Sequence, residues 1–350
     1  MNVPAGSIVT SSDELTASWL STALGTTVDT ATATPVGTGQ IGTCYRLELT
    51  GSAVPERILA KLPAADPATR EMLAGVYRSE ARYYNTIAAT VAIKSPRCYY
   101  AAISDNGADF TLLLEDMSPS EQGDQLAGCT VDQARDSVIN LAGLHGPRWC
   151  DPTLLDIDGL SVNGPDDAEL LAQMYGPATE IFIDALGPLI RSEDRATLRD
   201  CVEAAEHWAM GRSERYALVH GDYRLDNLLF PPGGAQGVTA IDWQTLSLAL
   251  PARDLAYFIG TSLSPDVRSD HEAGLVGDYH RALTGHGVDN YGVDDCWDDY
   301  RYSMIQGPLI SVFGCAYGTR TDRGDEMFAA MVARSCTAIR DLDTLSLVAG

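Results

Sequence analysis

The sequence predicts an α+β fold of two lobes: a small lobe of antiparallel strands with a helix, then a larger, mainly helical lobe. Three observations predict it. Up to about residue 115 several short strand-like segments occur, one of which alternates Tyr45, Leu47 and Leu49 with Arg46 and Glu48. Beyond a polar stretch at Ser118–Gly123 the apolar period becomes helical, with Ala134, Val138, Leu141 and Leu144 on one face. Between Tyr216 and Asp242 short strands interrupt the helices and run into polar, acidic segments. The lobes are expected to divide as 1–116 and 117–350.

Ser11 and Ser12 before Asp13 and Glu14 predict a capped helix closing near Gly25. Gly37-Thr38-Gly39-Gln40-Ile41-Gly42 reads as a glycine-rich loop entering the strand at Tyr45–Leu49. Gly51-Ser52 turns the chain into a second strand, Arg57–Leu62. Pro67 to about Ala89 is expected to be one helix, with Met72, Val76, Tyr83 and Ile87 on its apolar face. Strands follow at Tyr99–Ser104 and Phe110–Glu115, joined by Asp105-Asn106-Gly107. The second lobe is expected to hold helices at Thr130–His145, Asp167–Leu189, Ser192–Met210, Ala252–Leu263, Asp270–Leu283, Cys296–Phe313 and Gly324–Leu345. No internal repeat or low-complexity segment is present.

Composition narrows the function. With 24 Lys and Arg against 48 Asp and Glu the net charge is −24, which disfavours nucleic acid and anionic membrane as partners. No apolar run reaches the 18 residues of a membrane span, and Met1–Leu20 lacks the basic start of a signal peptide. The eight cysteines form no CxxC pair and read as reduced thiols, so a cytoplasmic protein is expected. Lys61 and Lys94 are the only lysines, so chemistry that needs a lysine has two candidates.

The chemistry-bearing segment begins at the strand Tyr216–Val219 and runs through His220-Gly221-Asp222-Tyr223-Arg224-Leu225-Asp226-Asn227. A second strand, Val238–Ile241, ends at Asp242-Trp243-Gln244. Phosphoryl transfer needs one carboxylate beside the attacking hydroxyl, plus an asparagine and a second carboxylate as hard oxygen ligands for Mg²⁺. His220, Asp222 and Asn227 have the H-x-D-x-x-x-x-N spacing of a kinase catalytic loop, and the strand-ending Asp242 follows Asn227 by 15 residues.

Here the chain resembles the aminoglycoside phosphotransferase and choline kinase superfamily, whose fold is similar to that of protein kinases. The resemblance rests on HGDYRLDNLLF (His220–Phe230) and IDWQ (Ile241–Gln244), with support from PARDLAYF (Pro251–Phe258) and LAGLHGPRW (Leu141–Trp149). The Asp-Trp-Gln form and the run from Ser79 to Tyr84 look closest to the ecdysteroid kinase-like branch. The phosphotransferase part of some acyl-CoA dehydrogenase fusions is also similar.

The resemblance implies Asp222 as the residue that orients the acceptor hydroxyl and accepts its proton. It implies Asn227 and Asp242 as Mg²⁺ ligands, Arg224 as an electrostatic clamp near the γ-phosphate, and His220 and Asp254 as braces of the loop. Gly37, Gly39 and Gly42 would cover the phosphates of ATP, and Lys61 would reach the α- and β-phosphates. Glu80 is the expected partner of Lys61, with Glu71 as its rival and Lys94 as a weaker lysine. Glu115 to Met117 would form the hinge whose backbone bonds the adenine. Trp243-Gln244 in place of Phe-Gly, and the lack of an A-P-E segment, argue against a protein kinase.

The expected reaction is transfer of the γ-phosphoryl group of ATP to a hydroxyl of a small organic acceptor. A hydroxylated apolar metabolite is favoured; an aminoglycoside or amino-alcohol acceptor and a nucleotide-binding pseudokinase are the alternatives. The oligomeric state is not legible. His271, His280 and His286 fit no ligand spacing. Trp149, Trp297 and Phe313 read as core or pocket wall, and Asp294, Asp295, Asp298 and Asp299 as a solvated helix face.

Overall fold

The computed structural model describes residues 8–37 and 41–349. The chain divides into two units. The first holds the described residues of Met1–Thr90, Ser95–Pro119 and Ile241–Leu246; the second holds Val91–Lys94, Ser120–Ala240 and those of Ser247–Gly350.

In the first unit, the Thr16 hydroxyl caps α1 (Ala17–Leu24) by accepting from the Trp19 amide, and Gly25 ends it in the left-handed region at φ 67°. An antiparallel sheet is built from β1 (Val28–Val36), β2 (Gly42–Gly51), β3 (Arg57–Pro63), α2 (Pro67–Met72) and α3 (Ala74–Arg82) intervening, then β4 (Cys98–Ile103) and β5 (Phe110–Glu115), in the order β1-β2-β3-β5-β4. Lys61 pairs with Cys44 on one side and Leu112 on the other, so β3 is an interior strand. Ile58, Ala60 and Leu62 are fully buried on one face, against Leu20, Leu47 and Tyr100. Leu59 packs with Tyr77, Phe110 and Leu112, and Lys61 shares its side of the strand. β1 was not expected: most of its Thr and Ala side chains are exposed on this edge strand, so it carries no apolar alternation.

The single helix expected over Pro67–Ala89 is instead α2, α3 and a π-type turn at Tyr83–Ile87, broken at Leu73. Met72 is 77 % exposed, while Tyr77, Ser79, Glu80, Ala81 and Tyr83 are buried. The apolar period misread this segment because two of its inward residues, Ser79 and Glu80, are polar and meet partners remote in sequence.

The second unit contains β6 (Glu121–Gln122), α4 (Val131–His145), α5 (Pro165–Leu186), α6 (Ser192–Met210), β7 (Ala217–Val219), β8 (Leu228–Phe230), β9 (Thr239–Ala240), β10 (Ser247–Ala249) and α7 (Ala252–Ser262). It continues with α8 (Pro265–Gly285), α9 (Val293–Tyr302), α10 (Gln306–Tyr317), α11 (Asp322–Asp341) and α12 (Thr344–Ala349). β7 pairs with β10, and β8 with β6 and β9, giving short ladders that frame the loop at 220–227. α4 packs on α8, α5 on α6 and α10 on α11, and Tyr175 and Phe182 of α5 and Trp208 of α6 are fully buried.

Two expected helices are split. Cys296–Phe313 breaks at a 3-10 turn, Ser303–Ile305, because Pro308 has no amide to donate and is seated in the first turn of α10. Gly324–Leu345 breaks where Asp343 takes a left-handed φ of 52°. The acidic run also differs from expectation. Asp294, Asp295 and Asp298 are exposed, but Asp299 is fully buried, because the helical period of α9 turns it inward beside Cys296 and Tyr300. All eight cysteines are free thiols, and among the described residues no helix is long and apolar enough to cross a membrane.

Candidate active site

In the first unit, β3 presents Lys61 to Glu80 on α3, with Nζ 2.6 Å from Glu80 Oε2 and 3.5 Å from Asp242 Oδ1. Glu71, the rival, is exposed on α2, and Lys94 donates to the Gly237 carbonyl in the second unit. Burial pulls the Lys61 ammonium down, but Glu80 and Asp242 more than offset it, so it is held above its ordinary value. The segment carrying Asp242 is pinned on both sides. The Trp243 ring stacks on Tyr83 at 3.5 Å, and the Ser79 hydroxyl bonds the carbonyls of Trp243 and Leu246. Asp242 itself sits at a left-handed φ of 67°, a conformation that costs about 1–3 kcal/mol and persists only where the surroundings impose it.

Other expected nucleotide contacts also fall in this unit. Gly37 turns at φ 70° with open space around it, whereas a Cβ on Gly42 would lie 2.5 Å from the Leu62 carbonyl oxygen. Gly39 lies outside the described residues. The Glu115 amide already donates to the Arg97 carbonyl at 2.8 Å. Met117 is half-buried between Asp116, which pairs with Arg46 at 2.8 Å, and Ser118, whose hydroxyl and amide both donate to Asp116.

In the second unit, β7 delivers the chain into the loop at 220–227. Asp254, in the first turn of α7, accepts from the amides of His220 at 2.6 Å and Gly221 at 3.0 Å. His145 from α4 lies 3.3 Å from the same carboxylate and is held in turn by the Tyr279 hydroxyl at 2.6 Å. Gly221 takes a φ of 80°, which a side chain would resist, and this bend carries the chain into Asp222. The Asp222 side chain is 25 % exposed. Its Oδ1 accepts from the Tyr257 hydroxyl at 2.8 Å, and its Oδ2 from Arg224 Nε at 3.1 Å and Asn227 Nδ2 at 2.9 Å. The buried His220 accepts the Asp222 amide on Nδ1 at 3.3 Å.

Arg224 also reaches Asp226 at 3.3 Å and the Met327 sulfur at 2.9 Å. Burial pulls its guanidinium down, yet Asp222 and Asp226 hold it above the ordinary value. Gln125 ties the loop from behind: its Oε1 accepts the Leu225 amide at 2.8 Å and its own amide donates to Asp226 at 2.9 Å. Tyr257, Met327 and Met331 form a buried apolar cluster, with Ile310 and Phe328 half-buried against it. A cavity of about 660 Å³ opens in the same unit beside Leu225, Asp136 and the turn at Pro231–Gln236, and Asp222, Arg224 and Asn227 do not line it.

The oxygens expected to bind Mg²⁺ suit a hard cation. Both nitrogen contacts of Asn227, to the Asp222 carbonyl and carboxylate, use Nδ2 and leave Oδ1 as the ligand end. Asp242 Oδ1 is buried with no hydrogen-bond partner. Asn227 belongs to the second unit and Asp242 to the first. Among the described residues, no group of three or more His, Cys, Asp or Glu is arranged to hold a metal, His271, His280 and His286 included. Mg²⁺ does not need such a cage, since it keeps waters and phosphate oxygens.

Sequence reading gave Tyr257, Gln125, Ser79 and Tyr83 no role at the site, although Tyr83, the Ser79–Tyr84 run and the segment holding Tyr257 were noted for other reasons. Tyr257 carries a recoverable signal, because it lies three residues after Asp254 and so shares that helix face. Gln125 is about 100 residues from its partners in the loop, and nothing local marks it.

Comparison with known proteins agrees with this architecture. The profile of the Ecdysteroid kinase-like family matches residues 170–288. Acyl-CoA dehydrogenase family member 10 of Mus musculus is 48% identical over 46 residues, which is 13% of this chain and only 4% of the mouse protein. The choline kinase of Cryptosporidium parvum superposes with a TM-score of 0.57 at 10% identity, covering 91% of either chain. The GDP complex of aminoglycoside 2'-phosphotransferase-IIIa superposes with a TM-score of 0.51 at 14% identity, covering 87% of this chain and 92% of that one. The chain thus has the protein-kinase-like fold of these solved structures, and its segment 170–288 is similar to the Ecdysteroid kinase-like family.

Proposed function

We propose that the protein transfers the γ-phosphoryl group of ATP to a hydroxyl of a small organic molecule. The observation that carries this reading is the buried Lys61–Glu80 pair beside Asp242. A buried ion pair is a poor stabilising device, because desolvation opposes the Coulomb gain. One of the chain's two lysines is nonetheless placed there, charged and oriented.

In this reading Lys61 holds α- and β-phosphate oxygens, and Glu80 keeps its side chain extended. The acceptor hydroxyl approaches Asp222, which orients it and takes its proton as the new O–P bond forms and the bond to ADP breaks. Tyr257 and Asn227 keep the Asp222 carboxylate in one orientation. Arg224, already bound to Asp222, adds positive charge near the transferred group. Asn227 and Asp242 would hold Mg²⁺, which supplies charge neutralisation on the phosphate oxygens. Positioning and electrostatics then provide most of the rate.

The apolar cluster of Tyr257, Met327 and Met331 with Ile310 and Phe328, next to Asp222, favours a hydroxylated apolar acceptor. The net charge of −24 favours a cationic acceptor as the second reading. The free thiols favour a reducing, cytoplasmic setting.

The test is coupled ADP or GDP release with Mg²⁺ and ATP or GTP, over a panel of sterols, hydroxyacyl compounds, macrolides, aminoglycosides and amino-alcohols. Stimulation by one acceptor class, reduced at least about 100-fold in Asp222→Asn while nucleotide still binds, is the expected result. Undiminished turnover in that variant overturns the role of Asp222. Tight nucleotide binding without turnover for any acceptor shifts the reading to a nucleotide-binding pseudokinase.

A further inference from the structure

Arg323, Met327, Met331 and Arg334 follow one another at intervals of four, four and three residues, so they share one face of α11. The first three meet the loop at 220–227 or a residue that holds it. Arg323 bonds Asp226, Met327 meets the Arg224 guanidinium, and Met327 and Met331 pack with Tyr257. Arg334 reaches the chain behind the loop instead. Its Nη1 donates to the carbonyls of Gln125 and Thr261, each at 2.8 Å, and its Nη2 to the carbonyl of Leu126 at 2.8 Å. Burial pulls this guanidinium below its ordinary value, against the opposing pulls of Cys129 and Asp124.

Those three carbonyls belong to two separate supports of the loop. Thr261 lies in the last turn of α7, the helix that also carries Asp254 and Tyr257. Through those two residues α7 holds the start of the loop, at the amides of His220 and Gly221 and the carboxylate of Asp222. Fully buried Gln125 holds its far end, at the Leu225 amide and the Asp226 carboxylate. The Gln125 side chain closes the joint between the supports: its Nε2 donates to the Thr261 carbonyl at 3.0 Å and to the Thr261 hydroxyl at 3.1 Å. One planar guanidinium therefore fastens the 125–126 segment to α7, which the single nitrogen of a lysine could not do as rigidly.

We propose that Arg334 is a positioning residue for the phosphotransferase reaction, acting through Gln125 and α7 to set the spacing between Asp222 and Asn227. Each end of the loop is held by a different support, so a shift of one support against the other moves Asp222 relative to Asn227. Misplacement of reacting groups by about 1 Å can cost 100-fold in rate. The inference rests on the phosphotransferase reading of Asp222 and Asn227, and its test therefore includes a readout that needs no turnover.

The test compares Arg334→Met, Arg334→Lys and Gln125→Leu with the unaltered protein, well below Tm, by hydrogen exchange and by steady-state kinetics. Arg340→Met is the control: Arg340 lies on the same helix, but it bonds Asp194 and Thr197 of α6 and no part of the loop or its supports. In Arg334→Met, exchange across 220–227 is expected to quicken at least about 10-fold. Its kcat is expected to fall roughly 10- to 100-fold with the KM for nucleotide unchanged. Arg334→Lys should recover part of both, and Gln125→Leu should reproduce both if Arg334→Met does not fold. Arg340→Met should lower Tm and leave kcat and loop exchange as they are. Unchanged exchange across 220–227 in Arg334→Met, or faster exchange with undiminished kcat, overturns the proposal. An equal loss of kcat in Arg340→Met also overturns it, because general destabilisation would then explain the effect. No turnover by the unaltered protein with any acceptor overturns the phosphotransferase reading, and the exchange data alone then decide whether Arg334 holds the loop.

Discussion

Tyr257 is fully buried on α7, and its hydroxyl reaches Asp222 Oδ1 at 2.8 Å. A bond to an ionised carboxylate contributes about 1.5–3 kcal/mol when buried, and less here because Asp222 is partly exposed. Tyr257→Phe removes the hydroxyl and keeps the ring in the cluster with Met327 and Met331. The expected outcome is a fall in kcat of roughly 3- to 30-fold with the KM for nucleotide unchanged, read by steady-state kinetics. A raised nucleotide KM at unchanged kcat would show that the hydroxyl serves something other than Asp222. Asp254, three residues earlier, holds the amides of His220 and Gly221, so one face of one helix controls both the bend and its carboxylate.

Among elements, the loop at 220–227 is fastened from α7, from the Gln125 segment and from α11. Arg323, in the first turn of α11, bonds both oxygens of Asp226 at 3.1 Å. Burial alone would push the Asp226 carboxyl up, but Arg323, the Gln125 amide and Arg224 outweigh it and hold it below the ordinary carboxylate value. A depressed folded value means the stabilisation is complete above the unfolded value of about 3.9 and is lost as pH falls from there through the lower folded value. Asp226→Asn should therefore lower Tm at pH 7 and flatten the loss of Tm between about pH 5 and 2, measured by scanning calorimetry. A variant with an unchanged acid limb would mean that other carboxylates, such as Asp116 with its Ser118 and Arg46 partners, carry the acid sensitivity.

At the scale of the whole molecule, the proposed roles are split between the units: Lys61, Glu80 and Asp242 belong to the first, and Asp222, Arg224 and Asn227 to the second. Binding and chemistry are therefore separable by mutation. Mg²⁺-nucleotide at about 100 times its Kd stabilises a folded protein by about 2.7 kcal/mol, a Tm shift of a few degrees. Lys61→Met should lose most of that shift, while Asp222→Asn should keep it and lose turnover. Equal nucleotide stabilisation in Lys61→Met and the unaltered protein would remove Lys61 from the phosphate site.

The sequence by itself determined what depends on neighbours along the chain. Period-two alternation set β2, short apolar runs near turn residues set β3 and β5, helical periodicity set α4 and α6, and the loop at 220–227 was visible because its residues are only a few positions apart. Only the tertiary structure decided what depends on residues remote in sequence. Glu80 turned inward against the apolar period because Lys61, 19 positions away, offers it a charge at 2.6 Å. β1 needed no apolar face because it is an edge strand, paired on one side by β2 alone. Gln125 and Tyr257 gained their places from hydrogen-bond acceptors and donors brought by other elements, and Asp299 from two arginines of the segment after α6. Buried polar groups must be paired, and the partner that satisfies each is chosen by packing, which one-dimensional periodicity does not encode.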